Sequence, residues 1–136
     1  MRFITILSDS WVKNISMIEK RAYPGMVKMS DEEVWILGGF DLERGGRRRA
    51  SKTTELCSPK YGCKKYVDLP TSMIDFHQTI RVNETHVFVL LNEAGNCWLF
   101  DQIQQSFHPL PDPKISRDGL DIGFINGHEV VLVSVF

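Results

Sequence analysis

Four arginines fall within six positions, Arg44, Arg47, Arg48 and Arg49, in the run Glu43-Arg44-Gly45-Gly46-Arg47-Arg48-Arg49. A guanidinium presents a planar fork of donors that grips a carboxylate or phosphate through two parallel hydrogen bonds. The run therefore suits an acidic peptide or a phosphate group. It equally suits a solvated loop and, in a secreted protein, a site of proteolytic processing. Three cysteines are present. Cys57 and Cys63 flank the turn-rich Ser58-Pro59-Lys60-Tyr61-Gly62, so they meet and can form a disulfide if they lie on adjacent strands. Cys97 is left over, and three reduced cysteines packed as small apolar residues fit as well. Asn14-Ile15-Ser16 and Asn83-Glu84-Thr85 match the glycosylation acceptor pattern. Turn chemistry alone also explains Asn83.

Catalytic constellations are harder to assemble. A metal site needs three or four converging ligands. Of the four histidines, His77, His86, His108 and His128, two stand just ahead of apolar runs, at repeat positions that differ by one residue. His86 and His128 therefore read as polar residues beside turns, and no metal or cofactor is expected. There is no Gly-x-Ser-x-Gly for a serine nucleophile. Gly45-Gly46 lacks the Lys-Ser/Thr of a phosphate-binding loop. The residue inventory thus favours binding over catalysis.

The bulk composition agrees. The chain has 136 residues, 43% hydrophobic and 24% charged, with a formal net charge of −1. Such a balance predicts a soluble globular protein, with no reason to expect a nucleic-acid or membrane-surface partner. No apolar run approaches the roughly 20 residues that span a bilayer. Phe3 to Leu7 is apolar but shorter than the core of a signal peptide, so no export signal is expected. Cytoplasmic residence is the default expectation, and an extracellular one follows if the chain belongs to a secreted protein.

The elements that position these residues recur along the chain. Val27 to Leu37, Ile80 to Leu90 and Gly123 to Val133 align as three hairpins, with Val34, Val87 and Val130 equivalent at spacings of 53 and 43 residues. The turns Ser30-Asp31, Asn83-Glu84 and Asn126-Gly127 fall at matching positions, and Asn-Gly is a strong hairpin signal. The second strand of each is nearly all apolar, as a strand covered on both faces requires. Two further strands follow the first hairpin, Thr53 to Cys57 and Lys64 to Val67, ending at Leu69-Pro70. Two follow the second, Cys97 to Asp101 and Gln105 to His108, ending at Leu110-Pro111. Phe3 to Leu7, followed by Trp11, supplies a matching pair at the start, and residues 12–23 read as a connection. Self-similarity at this period, in strand units, predicts a β-propeller array.

Gly38-Gly39 at the end of a second strand, Arg21 and Arg117 ahead of successive units, and the late aromatics Trp11, Tyr66 and Phe107 resemble the Kelch repeat family. Leu91-Asn92 stands where the second unit would carry the double glycine, and predicts a different strand exit there. The resemblance implies an all-β fold, a partial Kelch-like propeller of two full four-stranded blades flanked by two half blades. Residues 1–20 would end a preceding blade, 21–70 and 71–111 would be blades, and 112–136 would open another. It implies a non-enzymatic protein-interaction module that binds partners through its loops, with the Arg44–Arg49 run as the candidate contact. Two alternatives stay open. One is a degenerate or truncated propeller piece, acting within a larger assembly or self-associating through open edges at Phe3–Leu7 and Val130–Phe136. The other is a fragment of a galactose-oxidase-like copper enzyme, to which no motif around Tyr23, Tyr61 or Tyr66 carries over.

Overall fold

Short runs of β-branched and aromatic residues, punctuated by glycine and polar turns, fold as strands along the chain. The computed structural model describes residues 2–7, 10–42, 46, 48–72, 78–90, 97–111, 121–125 and 129–133. Arg44, Arg47, Arg117, His77, His128 and the Asn126-Gly127 turn lie outside them. Among the described residues the chain is all-β and antiparallel, and no helix is present.

Two four-stranded sheets form the body. The first contains β3 (Gly25–Lys28), β4 (Val34–Leu37), β7 (Thr54–Ser58) and β8 (Gly62–Lys65), neighbouring one another in that order. The second contains β9 (Gln78–Arg81), β10 (His86–Leu90), β11 (Cys97–Asp101) and β12 (Ser106–Pro109), again in chain order. Two-stranded sheets flank them: β1 (Arg2–Leu7) with β2 (Ser10–Ser16), and β13 (Asp121–Ile125) with β14 (Glu129–Val133). A further hairpin, β5 (Phe40–Leu42) with β6 (Arg48–Ala50), is inserted between β4 and β7. β3 lies beside β9, and β9 beside β13, while β2 lies beside β8.

The two inner hairpins share their closing geometry. Met29 N and Ser30 N donate to Glu33 O at 2.9 and 3.3 Å; Val82 N and Asn83 N donate to His86 O at 2.9 and 3.5 Å. Both connections exceed a two-residue turn, so Ser30-Asp31 and Asn83-Glu84 sit within wider loops. Asn83 Oδ1 accepts from the backbone N–H of Thr85 and His86, each at 2.9 Å, and so replaces backbone pairing with its side chain.

Three expectations are corrected. Residues 12–23 are not all connection, because β2 continues to Ser16. The pairing that supports it runs from Leu7 with Ser10 to Arg2 with Ser16. The segment between the second and third strands of the first sheet is not a plain loop but carries β5–β6. Arg48 and Arg49 stand on β6, opposite Leu42 and Asp41. Finally, β8 begins at Gly62, not Lys64, and Tyr66 follows its end, with Tyr66 N donating to Thr54 O at 3.0 Å.

The core lies between the two large sheets. Val27, Met29, Trp35, Leu37, Leu56 and Leu69 come from the first, and Val87, Val89 and Phe100 from the second. Trp35 and Phe100 are fully buried with ring centroids 4.5 Å apart, and Phe107 packs 4.8 Å from Phe100. Tyr66 meets Trp35 edge-on at 5.7 Å. Offset and edge-on contacts are favoured by the ring quadrupole. Alternate residues of β10 serve a second cluster: Phe88 and Leu90 join Cys97, with Ile80, Val82 and Leu110 around them. Phe88 and Leu90 are the counterparts of Trp35 and Leu37. Phe88 and Leu90 belong to this second cluster, whereas Trp35 and Leu37 belong to the core shared by the two large sheets.

The double glycine fixes the exit from β4. Gly38 and Gly39 have φ of 57° and 87°, a region that side chains with a Cβ rarely occupy. A Cβ on Gly39 would stand 2.8 Å from Ala22 O. That oxygen accepts from Phe40 N at 3.0 Å, while Ala22 N donates to Phe40 O at 2.8 Å. The close approach seats the entry segment against the first sheet.

Candidate interaction cleft

A buried charge organises the β5–β6 side of the first sheet. The Arg21 and Glu55 side chains are each 1% exposed, and Arg21 Nε donates to Glu55 Oε2 at 2.9 Å. Arg21 Nη1 donates to Gly38 O and Thr53 O, and Nη2 to Thr53 Oγ1, all at 2.9 Å. Glu55 also accepts from Ile18 N at 2.6 Å and Glu19 N at 3.3 Å. Removing both ions from water is costly, so every remaining donor and lone pair needs a partner. Here those partners are four backbone groups, of Gly38, Thr53, Ile18 and Glu19, and the Thr53 hydroxyl, so the ion pair ties residues 18–21 to the start of β7.

Glu19 continues the network toward the surface. Its Oε2 accepts from Thr53 Oγ1 at 2.8 Å and lies 3.5 Å from Arg21 Nη2. Ser51 Oγ is 2.7 Å from Thr53 Oγ1. These groups line a cleft of about 450 Å³, with Asp41, Arg49 and Ala50 from the β5–β6 arm and Lys20 and Lys52 beside them. Lys20, Arg49 and Lys52 are exposed and form no ion pair among the described residues. Glu19, held by Arg21, thus meets a rim of three cations, of which Arg49 stands on the hairpin wall. Such a rim can grip a carboxylate or phosphate.

The opposite end of the first sheet is charged but self-compensating. Lys28 reaches Asp31 at 3.0 Å, Lys60 reaches Glu32 at 2.8 Å, and the Tyr61 hydroxyl donates to Glu33. Desolvation first, then the hydrogen bond and charge of Glu33, push the Tyr61 phenol up to about 12. A second cleft of about 420 Å³ opens there, bounded by Ile15, Val34, Cys57, Pro59 and this charged loop.

The remaining residues singled out by sequence have local roles. Cys57 and Cys63 pair directly across β7 and β8 and are joined as a disulfide. With Glu55 they bring three ligand-type atoms within 4.8 Å. The two sulfurs are bonded to each other and the carboxylate is held by Arg21, so this set is committed to structure. Cys97 is buried in the second cluster. His86 Nδ1 lies 2.8 Å from Thr85 Oγ1, and its Nε2 is 3.7 Å from Asp101 Oδ2. Asp101 is held below the usual carboxylate range, chiefly by the backbone N–H of Gln104, with Ile103 N–H and the nearby His86 and His108 adding to it. His108 Nε2 lies 3.3 Å from Ser106 Oγ. Asn83 is exposed with its Oδ1 engaged by its own loop. Trp11 is placed on β2 by its backbone.

Two residues central to the arrangement had no sequence signal of function. Glu55 reads as one polar residue in a strand, although a lone acid in an otherwise apolar run asks for a buried partner. Arg81, on β9, crosses between the large sheets: it donates to Lys28 O at 2.8 Å and Met29 O at 2.7 Å, and to Gln102 Oε1 at 3.1 Å. Burial lowers its pKa. The chain matches no family model and no curated protein sequence.

Proposed function

We propose that this chain is a protein-interaction module of the Kelch-type β-propeller class that works by binding, without catalysis. The observation that carries the reading is the stacking of two successive four-stranded meanders with one strand order and one closing loop geometry. In a propeller β3, β9 and β13 are the inner strands of consecutive blades, and β8 and β12 the outer ones. The aromatic wedge of Trp35, Tyr66, Phe100 and Phe107 then fills the space between blades. Loops at strand ends carry recognition in such scaffolds, because a rigid sheet stack holds them.

The contact surface in this reading is the β5–β6 arm with its cleft. Arg49, Lys20 and Lys52 rim it, and Arg44, Arg47 and Arg48 extend the same basic run. An acidic segment of a partner protein fits that charge. The test compares partners captured from cells by the native chain and by the R44S/R47S/R48S/R49S variant. The expected result is an acidic partner lost by the variant while its circular dichroism and unfolding midpoint stay unchanged. Equal capture by both would overturn the assignment of the arm.

A further inference from the structure

We infer that Asn83 carries an N-linked glycan, so that the chain folds in an oxidising, secretory compartment. Two observations on different sheets point there: the loop around Asn83 and the Cys57–Cys63 disulfide.

Asn83-Glu84-Thr85 is an acceptor pattern whose middle residue is not proline. It lies in the loop between β9 and β10. The other acceptor pattern begins at Asn14, inside strand β2. Asn83 and Glu84 are exposed, and Thr85 is half-buried. The two ends of the Asn83 amide have separate tasks. Its Oδ1 accepts from the backbone N–H of Thr85 and of His86, each at 2.9 Å, and from Thr85 Oγ1 at 3.0 Å. Its Nδ2 donates to no group among the described residues. An aspartate would serve this turn equally well, because the turn uses only the oxygen. The nitrogen, and the hydroxyl two residues on, are what a sugar acceptor requires. A sugar on Nδ2 leaves Oδ1 accepting the same bonds, so the folded loop carries it without rearrangement.

The disulfide supplies the compartment. Cys57 and Cys63 are joined directly across β7 and β8. Such bonds persist in secreted proteins and in the lumen of the endoplasmic reticulum, and are rare in the reducing cytosol. N-linked sugars are added in that same lumen.

Arg81 fixes where the sugar projects. Its Nη1 donates to Asn83 O at 3.0 Å and Glu84 O at 2.9 Å, while Nε and Nη2 hold Lys28 O and Met29 O. The acceptor loop therefore sits beside the β3–β4 connection. The β5–β6 arm leaves from the other end of β4, beyond Leu37, so a glycan here leaves the arm uncovered. The inference stands whether or not that arm binds an acidic partner.

The chemistry is a glycosyl transfer from a polyprenyl-pyrophosphate-linked oligosaccharide, carried out by a membrane-bound oligosaccharyltransferase. The Nδ2 electron pair forms a bond to the anomeric carbon of the first sugar. The bond from that carbon to the pyrophosphate oxygen breaks, and its electron pair leaves with the lipid pyrophosphate. One amide proton passes to solvent, and nothing is oxidised or reduced.

The test starts with the chain isolated from the cells that make it. Peptide N-glycosidase in heavy-oxygen water removes the glycan and leaves a labelled aspartate at the attachment site. The expected result is a mass that falls by a whole glycan, with the label on the tryptic peptide that begins at Val82. Unmodified Asn83 in that chain would overturn the inference, as would a label confined to Asn14. Alkylation without reductant is expected to spare Cys57 and Cys63, and free thiols there would also overturn it. Asn83→Asp and Thr85→Val variants, secreted from cultured animal cells beside the native sequence, separate sugar from turn. Both are expected to lose the glycan that the native sequence carries. Asn83→Asp keeps the acceptor of the turn, so its unfolding midpoint is expected to match that of the deglycosylated native chain. A native sequence secreted without a glycan, or the same glycan on Asn83→Asp, would overturn the assignment.

Discussion

At the scale of single residues, the Arg21–Glu55 pair shows how a buried charge can specify structure while adding little net energy. Its attraction is offset by the desolvation of both ions, so the pair matters chiefly through what its loss exposes. Glu55→Gln leaves the guanidinium buried without its counter-charge. The expected loss is about 3–5 kcal/mol, read by urea denaturation. Replacing both residues with apolar ones is expected to recover part of it, because no ion is then stranded. Tyr61 gives a second residue-level prediction. Its phenol is pushed from the ordinary 10.0 up to about 12, so the folded chain keeps a proton that the unfolded chain releases. The stability this contributes is present below about 10 and is lost as pH rises to about 12. Titration of tyrosinate absorbance checks it, and Glu33→Gln is expected to bring that titration down, since it removes the charge that disfavours phenolate.

At the scale of elements, the exit from β4 depends on backbone shape that only glycine tolerates. Gly39→Ala places a Cβ against Ala22 O at positive φ. The expected cost is about 1–3 kcal/mol of backbone strain, with faster amide exchange at Ala22 and Phe40 as the local signature. The strands of both large sheets were legible because each combines an apolar run with a turn, a signal carried by nearest neighbours in sequence. The double glycine was legible for the same reason. The β5–β6 hairpin was not: the arginine run reads as solvated loop, and the pairing of Asp41 with Arg49 leaves no apolar alternation to find. Nor was the cleft. Glu19, Arg21, Thr53 and Glu55 lie up to 36 positions apart, and only the folded register of β7 brings them to one point. Arg81 escaped notice because its partners are carbonyl oxygens of another sheet, which no side-chain pattern records.

At the scale of the whole molecule, the question is whether the two large sheets fold as one unit. The core that joins them is shared: Trp35 and Leu37 on one side meet Val87, Val89 and Phe100 on the other. Arg81 adds polar stitching from β9 to the end of β3, and Thr79 Oγ1 donates to Met26 O at 3.1 Å. Among the described residues neither sheet has a second layer of its own to cover that face, so each depends on the other to remove it from water. Phe100 sits at the centre, in contact with Trp35, Tyr66 and Phe107. Phe100→Ala is expected to cost about 3–5 kcal/mol through lost burial and the cavity it leaves. The informative part is where that loss appears. With a shared core, the variant lowers the protection of β4 and β7 amides as much as that of β10 and β11, and unfolding stays a single transition. If the sheets were independent, only the second would weaken and the transition would split. Hydrogen exchange resolved by strand distinguishes these outcomes, because it reads the free energy of opening for each element separately.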